Sequence, residues 1–376
     1  MGNSCATSSF SDDDEPDKRN HDTVDAFQVN EFPQVLYYSN VIMKEYDNVT
    51  TFDGYLEQRK VTIKRFRNNQ AKMVKHETEL LEKFDCHSNI LRYFFKTHVN
   101  AFQYIISEHY ETTLVPYFKD KVYLRIPIEK VMEDVSKGVH FLNGESIVHL
   151  NINPMNVVVA CCQDRFIAKL ANFTSALKLN GRRSVNISAI PGIDGFQAPE
   201  LHSHKASITS DIYSMGCLFF YLISDGYKMQ QVTFSGHEQI ITSRLRIIKQ
   251  DKSSSILCVD LITEMLRYEE MKRINTTLVL QHPFFFTTQQ NLILILDAHK
   301  LIESKNETFR TLLYKNSRIV IGKTGDWKDK VEVAVLNILI NIRKAHLSRL
   351  GTEVTDDQSK GNITNLITQI RNSVNL

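Results

Sequence analysis

The chain has 376 residues, of which 42% are hydrophobic and 23% are charged, so it can form a large core and is too long for one average domain. Its formal net charge of +2 does not point to a strongly acidic or basic partner. Six cysteines occur without a Cys-x-x-Cys pair, which argues against a zinc site or disulfide framework and predicts a reducing, cytoplasmic environment. No apolar run reaches the ~20 residues that a membrane-spanning helix needs.

The first 30 residues are expected to form a disordered acidic tail. Residues 1–25 carry seven acidic and two basic residues and few large apolar groups, which cannot offset the entropy cost of ordering. Gly2 and Cys5 are candidates for myristoylation and palmitoylation, because two acyl chains hold a protein on a membrane where one does not. Ala6 stands where this motif prefers Ser or Thr. An ordinary polar tail is therefore the alternative to a lipid anchor and peripheral membrane attachment.

Residues 55–84 show the pattern of a hairpin followed by a helix. Val61, Ile63 and Phe66 mark one strand, with Lys64 on its other face. The helix has an apolar stripe of Met73, Leu80, Leu81 and Phe84, and Glu77 lies on that stripe. Because a buried carboxylate is costly unless it is paired, we expect Lys64 to pair with Glu77. The alternative is a solvated lysine and a glutamate at the edge of the stripe.

Further motifs follow in a fixed order. An apolar strand ends at Glu108, close to Tyr110, and precedes an amphipathic helix with apolar residues at 128, 131, 132, 135, 139 and 142. Next come His149-Leu150-Asn151-Ile152-Asn153-Pro154-Met155-Asn156 and an apolar strand over 166–173, at whose end stands Asn172-Phe173-Thr174. Ala198-Pro199-Glu200 then precedes a buried helix opened by Asp211, and we expect Glu200 to pair with Arg273.

This order resembles that of protein kinases. Val61-Thr62-Ile63-Lys64 is similar to the strand motif V-A-I-K, residues 149–156 to the catalytic loop H-R-D-L-K-P-x-N, and Asn172-Phe173-Thr174 to Asp-Phe-Gly. The resemblance implies an α+β, bilobal protein-kinase-like domain over residues 37–286. It also implies an ATP or ADP site, and the residues that would form it are Lys64, Glu77, Glu108, Tyr110, Asn156 and Asn172.

The catalytic groups of that pattern are replaced. Asn151 stands at the base aspartate and Asn153 at the catalytic-loop lysine. Asn156 and Asn172 stand at the metal positions, where two neutral amides hold Mg²⁺ weakly at best because this ion prefers carboxylates and phosphates. Residues 44–55 contain only Gly54 in place of a glycine-rich phosphate loop. Nucleotide binding without Mg²⁺ is therefore expected, and phosphoryl transfer is not.

The residues within these motifs also resemble those of one family, the kinase-endoribonucleases, which comprise the unfolded-protein-response sensor (Ire-type) and RNase L. The similar segments are residues 108–114, the Pro-Gly-x-x-Gly run at 191–195 and Gln281-His282-Pro283-Phe284-Phe285-Phe286. The resemblance implies an all-α KEN-type ribonuclease domain over residues 287–376. Its candidate residues are Trp327, Arg371 and Asn372, whereas Asn365 and Leu376 stand where the family has Asp and the catalytic His. This domain is expected to be degenerate or truncated.

Three classes of function remain open. The first is a regulatory pseudokinase fused to a degenerate nuclease domain, which acts by nucleotide-assisted dimerisation as a homodimer or as a heterodimer with an active family member. The second is a working Ser/Thr protein kinase with atypical catalytic residues. The third is an active endoribonuclease of the RNase L or Ire type whose C-terminus is truncated here. RNA contact is compatible with the 13 basic and 9 acidic residues of positions 284–376 but is not required by them.

Overall fold

A computed structural model describes the backbone of residues 24–28, 35–46, 49–84, 87–117, 125–224 and 252–286, with isolated positions at 120, 226, 228 and 290. Side chains are described from residue 49 onward, apart from 252–256. The expected lipid-anchor residues and the expected nuclease domain lie outside these ranges. Among the described residues, no helix is long and apolar enough to cross a membrane.

The described chain mixes helices and sheets and divides into two compact units. Unit 1 comprises residues up to 86 and 91–110, and unit 2 comprises residues 87–90 and those from 111 onward. Unit 1 contains an antiparallel sheet in the strand order β1-β2-β3-β4-β6-β5. Its elements are β1 Val24–Gln28, β2 Val35–Tyr46, β3 Val49–Leu56, β4 Arg59–Arg67, α1 Ala71–Phe84, β5 Tyr93–Val99 and β6 Phe102–Glu108.

One face of this sheet forms the core of unit 1. Alternate residues of β4 point the same way, so Val61 and Ile63 lie together with Phe52 and Ile106 from the neighbouring strands. All four are almost completely buried, which confirms the predicted hairpin. The opposite face carries Lys64, which points towards α1. Phe66 also lies on that face and not beside Val61 and Ile63 as predicted, because it follows Ile63 by an odd number of residues.

Strand β1 differs from the expected tail. Residues 24–28 pair with β2 over Val24↔Ser39 to Gln28↔Val35, although the prediction placed them in a disordered segment that extended to residue 30. The prediction rested on the charge of residues 1–25 and their few large apolar groups. The short run Val24-Asp25-Ala26-Phe27-Gln28 satisfies its backbone groups by pairing with an existing strand, which composition does not reveal.

Helix α1 covers the predicted apolar stripe, with one difference in the residues that are buried. Leu80, Leu81 and Phe84 are buried, but Val74 is fully buried while Met73 is only partly so. The stripe is therefore rotated by one residue at its start. Glu77 remains on it, with 1% of its surface exposed.

Unit 2 is built around two buried helices and three small sheets. The sheets are β10-β9-β7, β11-β8 and β12-β13. The strands are β7 Thr112–Thr113, β8 Ile147–Val148, β9 Val157–Cys162, β10 Arg165–Leu170, β11 Leu177–Lys178, β12 Ser184–Asn186 and β13 Lys205–Ser207. The helices are α2 Ile128–Gly144, α3 Ile208–Ile223, α4 Lys252–Met265 and α5 Thr276–Leu280.

Two predicted boundaries in unit 2 are wrong. Strand β10 ends at Leu170 and not at Phe173, because Asn172 adopts the left-handed conformation with φ 66°, which ends an extended strand. Helix α3 begins at Ile208 and not at Asp211, because Ser207 and Ser210 form a reciprocal capping box ahead of the acidic residue. Asn172 therefore lies in a turn after β10, and Asp211 lies within the first turn of α3.

A buried ion pair ties the segment after residue 198 to the end of unit 2. Arg273 Nη1 lies 2.8 Å from Glu200 Oε1 and Arg273 Nη2 lies 3.1 Å from Glu200 Oε2, as the sequence predicted. The arginine side chain is fully buried and also donates to three backbone carbonyls, those of Thr209, Arg267 and Tyr268. Its guanidinium therefore has few unsatisfied donors.

We expect Arg273→Ala to reduce the free energy of unfolding by about 3–5 kcal/mol, because it leaves the Glu200 carboxylate buried without its cation. Urea denaturation of the full chain measures this loss. The matched control is Lys272→Ala, which removes an exposed pair with Glu269 and should cost less than about 1 kcal/mol. Equal losses for the two variants would contradict a structural role for the buried pair.

Candidate functional site

In unit 1, strand β4 and helix α1 bring Lys64 and Glu77 together. Lys64 Nζ lies 3.5 Å from Glu77 Oε1, and the two side chains are 14% and 1% exposed. The sequence predicted this pair from the position of a carboxylate on an apolar helix stripe. A lysine held at a fixed place on a sheet face can bind a phosphate group, and this role remains a prediction.

Glu108 and Tyr110, two of the expected nucleotide-site residues, lie at and just after the end of β6. The Glu108 carboxylate accepts the Arg92 backbone N–H at 2.7 Å, and the Glu108 N–H donates to the Arg92 carbonyl at 2.9 Å. These bonds fix the start of β5. Tyr110 is buried, and burial together with the nearby Asp53 carboxylate raises the pKa of its phenol to about 12. The structure therefore shows a structural task for Glu108, and its contact with a nucleotide stays a prediction.

In unit 2, a buried carboxylate shapes the loop that follows β8. Asp211 on α3 accepts the backbone N–H groups of His149 at 2.6 Å and Leu150 at 2.8 Å. Leu150 has φ 61°, a left-handed conformation that is unfavourable for a branched side chain. The two hydrogen bonds hold the backbone in this turn. The turn at His149 and Leu150 is thus held from α3 and does not require a charged group at position 151.

The three asparagines of this loop bond to one another. Asn153 Nδ2 donates to Asn151 Oδ1 at 2.7 Å and to the Asn151 carbonyl at 3.0 Å. Asn156 Nδ2 donates to the same carbonyl at 2.8 Å. Asn153 Oδ1 accepts the Met155 N–H at 2.8 Å, so the Asn153 amide is engaged on both sides. The base and lysine positions have become one hydrogen-bonded pair of amides.

Asn172 closes the same network. Its Nδ2 donates to Asn156 Oδ1 at 3.1 Å, and its Oδ1 accepts the Thr174 hydroxyl at 2.7 Å. The bond from Asn156 Nδ2 to the Asn151 carbonyl fixes which end of the Asn156 amide faces Asn172, and this in turn fixes the Asn172 amide. We call Asn151, Asn153, Asn156 and Asn172 the amide network.

The amide network does not suit Mg²⁺. The two side-chain oxygens at the expected metal positions, Asn156 Oδ1 and Asn172 Oδ1, already accept hydrogen bonds within the loop region. An ion would have to displace both bonds without a carboxylate to offset its charge. In the part of the chain that the structure describes, no group of three or more Asp, Glu, His or Cys side chains could hold a metal ion.

The sequence did not reveal two members of this arrangement. Thr174 was noted only as the third residue of a motif, yet its hydroxyl fixes the Asn172 amide. Asp211 was predicted only to open a buried helix, although it also holds the loop. The available signal was an acidic residue at the start of an apolar helix, because a buried carboxylate needs hydrogen-bond donors. Trp327, Arg371 and Asn372 lie outside the described residues.

Comparison with known proteins agrees with these features. A family model described as "Protein kinase domain" matches residues 48–285. The Caenorhabditis elegans serine/threonine-protein kinase/endoribonuclease ire-1 is 28% identical over 294 residues, which cover 75% of this chain and 30% of the relative. The human serine/threonine-protein kinase/endoribonuclease IRE2 is 29% identical over 268 residues, which cover 68% of this chain and 29% of the relative.

A third relative is named as an inactive protein. The "Inactive serine/threonine-protein kinase/endoribonuclease IRE1-like" protein of Arabidopsis thaliana is 24% identical over 328 residues, which cover 77% of this chain and 58% of that protein. The chain spans about 30% of the length of the first two relatives. Because the kinase-domain match covers more than half of the chain, the chain belongs to the protein kinase family, and within that family it resembles the Ire-type kinase-endoribonucleases.

Proposed function

We propose that this chain is a regulatory pseudokinase that binds ATP or ADP without Mg²⁺ and acts through nucleotide-assisted dimerisation. The observation that carries the proposal is the amide network at the positions of the base, the lysine and the metal ligands. Its partner is a second copy of the chain or an active family member. Residues 287–376 form a degenerate KEN-type domain in this proposal, which rests on Asn365 and the other sequence departures alone.

The absence of a base argues against phosphoryl transfer. Asn151 is an amide that cannot accept a substrate proton at neutral pH, and its oxygen is already bonded to Asn153. Loss of a general base typically lowers a rate by about 10² to 10⁴. The missing metal carboxylate adds to this loss, because phosphoryl transfer depends on the ion to neutralise developing charge.

The retained charges support binding without catalysis. Lys64 and Glu77 keep the ion pair of the resembling motif, and a pair of this kind costs free energy to bury unless it is satisfied. A protein kinase domain binds nucleotide in general. A cation at Lys64 that attracts phosphate, together with a metal position that is neutral and self-bonded, favours a nucleotide site that does not need Mg²⁺.

We expect ATP and ADP to stabilise the full chain to the same extent with Mg²⁺ and with a chelator, because the amide network offers Mg²⁺ no carboxylate. Thermal-shift titration measures this, and the affinities should agree within about threefold, less than ~0.7 kcal/mol. The control is the double variant Lys64→Met and Glu77→Gln, which removes both charges together and so leaves neither buried ion unpaired. It should fold and bind nucleotide at least about tenfold more weakly. A tenfold dependence of wild-type binding on Mg²⁺ would contradict the proposal.

We expect Asn172→Asp to lower the free energy of unfolding by about 1–3 kcal/mol, because a carboxylate oxygen then faces Asn156 Oδ1 where an amide N–H had donated. Mg²⁺ should recover part of this loss, since the new carboxylate is a metal ligand. The matched control is Asn151→Asp, where the new oxygen keeps accepting from Asn153; it should change stability by less than about 1 kcal/mol and not respond to Mg²⁺. Chemical denaturation with and without Mg²⁺ compares the three proteins, and a wild type as responsive as Asn172→Asp would oppose our account.

Self-association is the direct test of the regulatory part of the proposal. Sedimentation velocity of the full chain should show a larger dimer fraction with ATP or ADP than without, because a ligand that binds the dimer better shifts the equilibrium towards it. The Lys64→Met, Glu77→Gln variant should show no such shift. If the chain stays monomeric at every concentration with nucleotide bound, homodimerisation is excluded and only a heterodimer remains, which mixing with an active family member then decides.

A further inference from the structure

Arginines flank the core face of the unit 1 sheet. Every second residue of β4 points to that face, so Arg59, Arg65 and Arg67 continue the row of buried Val61 and Ile63 at its two ends. Arg59 and Arg67 are exposed and Arg65 is partly buried. Arg65 and Arg67 lie at one end of the strand, and Arg59 lies at the other.

Aromatic rings hold two of these arginines, Arg65 and Arg59, in place. The Arg65 guanidinium lies 4.9 Å from the ring centre of Phe52 and 4.9 Å from that of Phe102, and the Arg59 guanidinium lies 4.5 Å from that of Phe94. Stacking on a ring uses the flat face of a guanidinium and leaves its N–H donors directed outward in the plane. A stacked guanidinium is already partly immobilised, so it loses less side-chain entropy when it forms an ion pair.

No carboxylate within the described residues forms an ion pair with Arg59, Arg65 or Arg67. The ion pairs of this sheet involve other residues, such as Lys60 with Asp53 and Lys64 with Glu77. Planar, oriented donors without a local acid are suited to an anionic segment that carries several carboxylates or phosphates. The remaining question is which anion lies within reach.

The chain itself supplies one. Five acids occupy positions 12–17, namely Asp12, Asp13, Asp14, Glu15 and Asp17, and the chain then enters this same sheet as strand β1. Strand β1 runs from Val24, which pairs with Ser39, towards Gln28, which pairs with Val35. The pairings Leu36↔Leu56 and Leu56↔Arg59 place the Gln28 end of β1 level with Arg59. Val24 is therefore the end of β1 that lies nearer to Arg65 and Arg67.

The distances permit contact. Strand β1 is three strand spacings from β4, or about 14 Å, and Arg65 lies about 10 Å further along the sheet than Val24. Asp17 precedes Val24 by seven residues, a span of up to ~24 Å when extended, and Asp12 to Glu15 have longer spans. The acidic run can thus lie beside Arg65 and Arg67 without strain. A tether of this length keeps the acids at a millimolar effective concentration, so several weak pairs suffice.

We infer that the acidic segment 12–17 docks on the Arg65 and Arg67 end of the unit 1 sheet and covers it against other anions. Each exposed ion pair is weak, and the contact depends on several of them acting together. It should therefore weaken with salt, because exposed charges are screened beyond about 10 Å at 0.1 M ionic strength and beyond about 3 Å at 1 M. Neutralising the acids should uncover the arginines without affecting the fold.

Arginine modification tests this contact in the full chain. The variant that combines Asp12→Asn, Asp13→Asn, Asp14→Asn, Glu15→Gln and Asp17→Asn keeps the length of the segment and removes its charge. Phenylglyoxal labelling, read residue by residue by mass spectrometry at low salt, should modify Arg67 at least about threefold faster in this variant than in the wild type. Arg65 should follow Arg67, and Arg59 at the far end should change less. At high salt the two proteins should react alike.

The exposed Arg182 and Arg183 of unit 2 are internal controls and should label equally in both proteins. Equal labelling of Arg67 in wild type and variant at low salt would overturn the inference. So would protection of Arg67 in the wild type by an added RNA oligonucleotide with no change on neutralising the acids, since the occupant of this end of the sheet would then be nucleic acid. These outcomes do not depend on nucleotide binding or dimerisation.

Discussion

The site in unit 2 depends on one buried carboxylate. Asp211 accepts the backbone N–H groups of two consecutive residues, His149 and Leu150, and so holds a left-handed leucine that the chain would otherwise avoid. Burial raises the pKa of this carboxyl to about 7, and the two amide hydrogen bonds act in the opposite direction. Most residues of the helix that carries Asp211 are buried, so the loop is fixed to the core of the unit. The amides that follow Leu150 start from a backbone turn that this contact holds.

Unit 1 retains charged side chains at its motif positions, whereas the loop of unit 2 has neutral ones. Unit 1 keeps a buried ion pair between Lys64 and Glu77, which needs both partners to remain stable. The loop held by Asp211 has neutral side chains at every position where the resembling motifs place the base, the lysine and the metal carboxylate. Each of the two Asp-to-Asn differences, at 151 and 172, gains an N–H donor, and the donor at 172 bonds to Asn156. The replaced positions are therefore hydrogen-bonded as a group.

The sequence predicted the features that depend on periodicity and on the order of motifs. The Lys64 to Glu77 pair followed from a carboxylate on an apolar stripe, and the Glu200 to Arg273 pair followed from two distant motifs. It did not predict the features that depend on backbone conformation. The apolar run up to Phe173 looked like strand because the left-handed turn at Asn172 has no signature beyond its residue type. The start of α3 was misplaced because the capping serines precede the acidic residue that drew attention.

The sequence also did not predict how the asparagine and arginine side chains are oriented relative to their neighbours. Four asparagines predict four amides, but whether amides face a ligand, water or each other depends on the Asp211 contact and on the Thr174 hydroxyl. Similarly, the arginines of β4 were visible as charges, whereas their stacking on phenylalanines from three other strands requires the sheet register. Nucleotide contacts and the C-terminal domain remain predictions.

The amide network has a consequence for the conditions under which the loop is folded. A cluster of carboxylates repels itself and needs a counter-ion or a bound substrate to assemble, so its shape varies with the ionic content of the solution. Neutral amides that donate and accept among themselves have no such requirement, and asparagine does not titrate. The side chains of this loop are therefore hydrogen-bonded to one another without a bound ion or substrate. The hydrogen bonds that shape it do not depend on divalent ions.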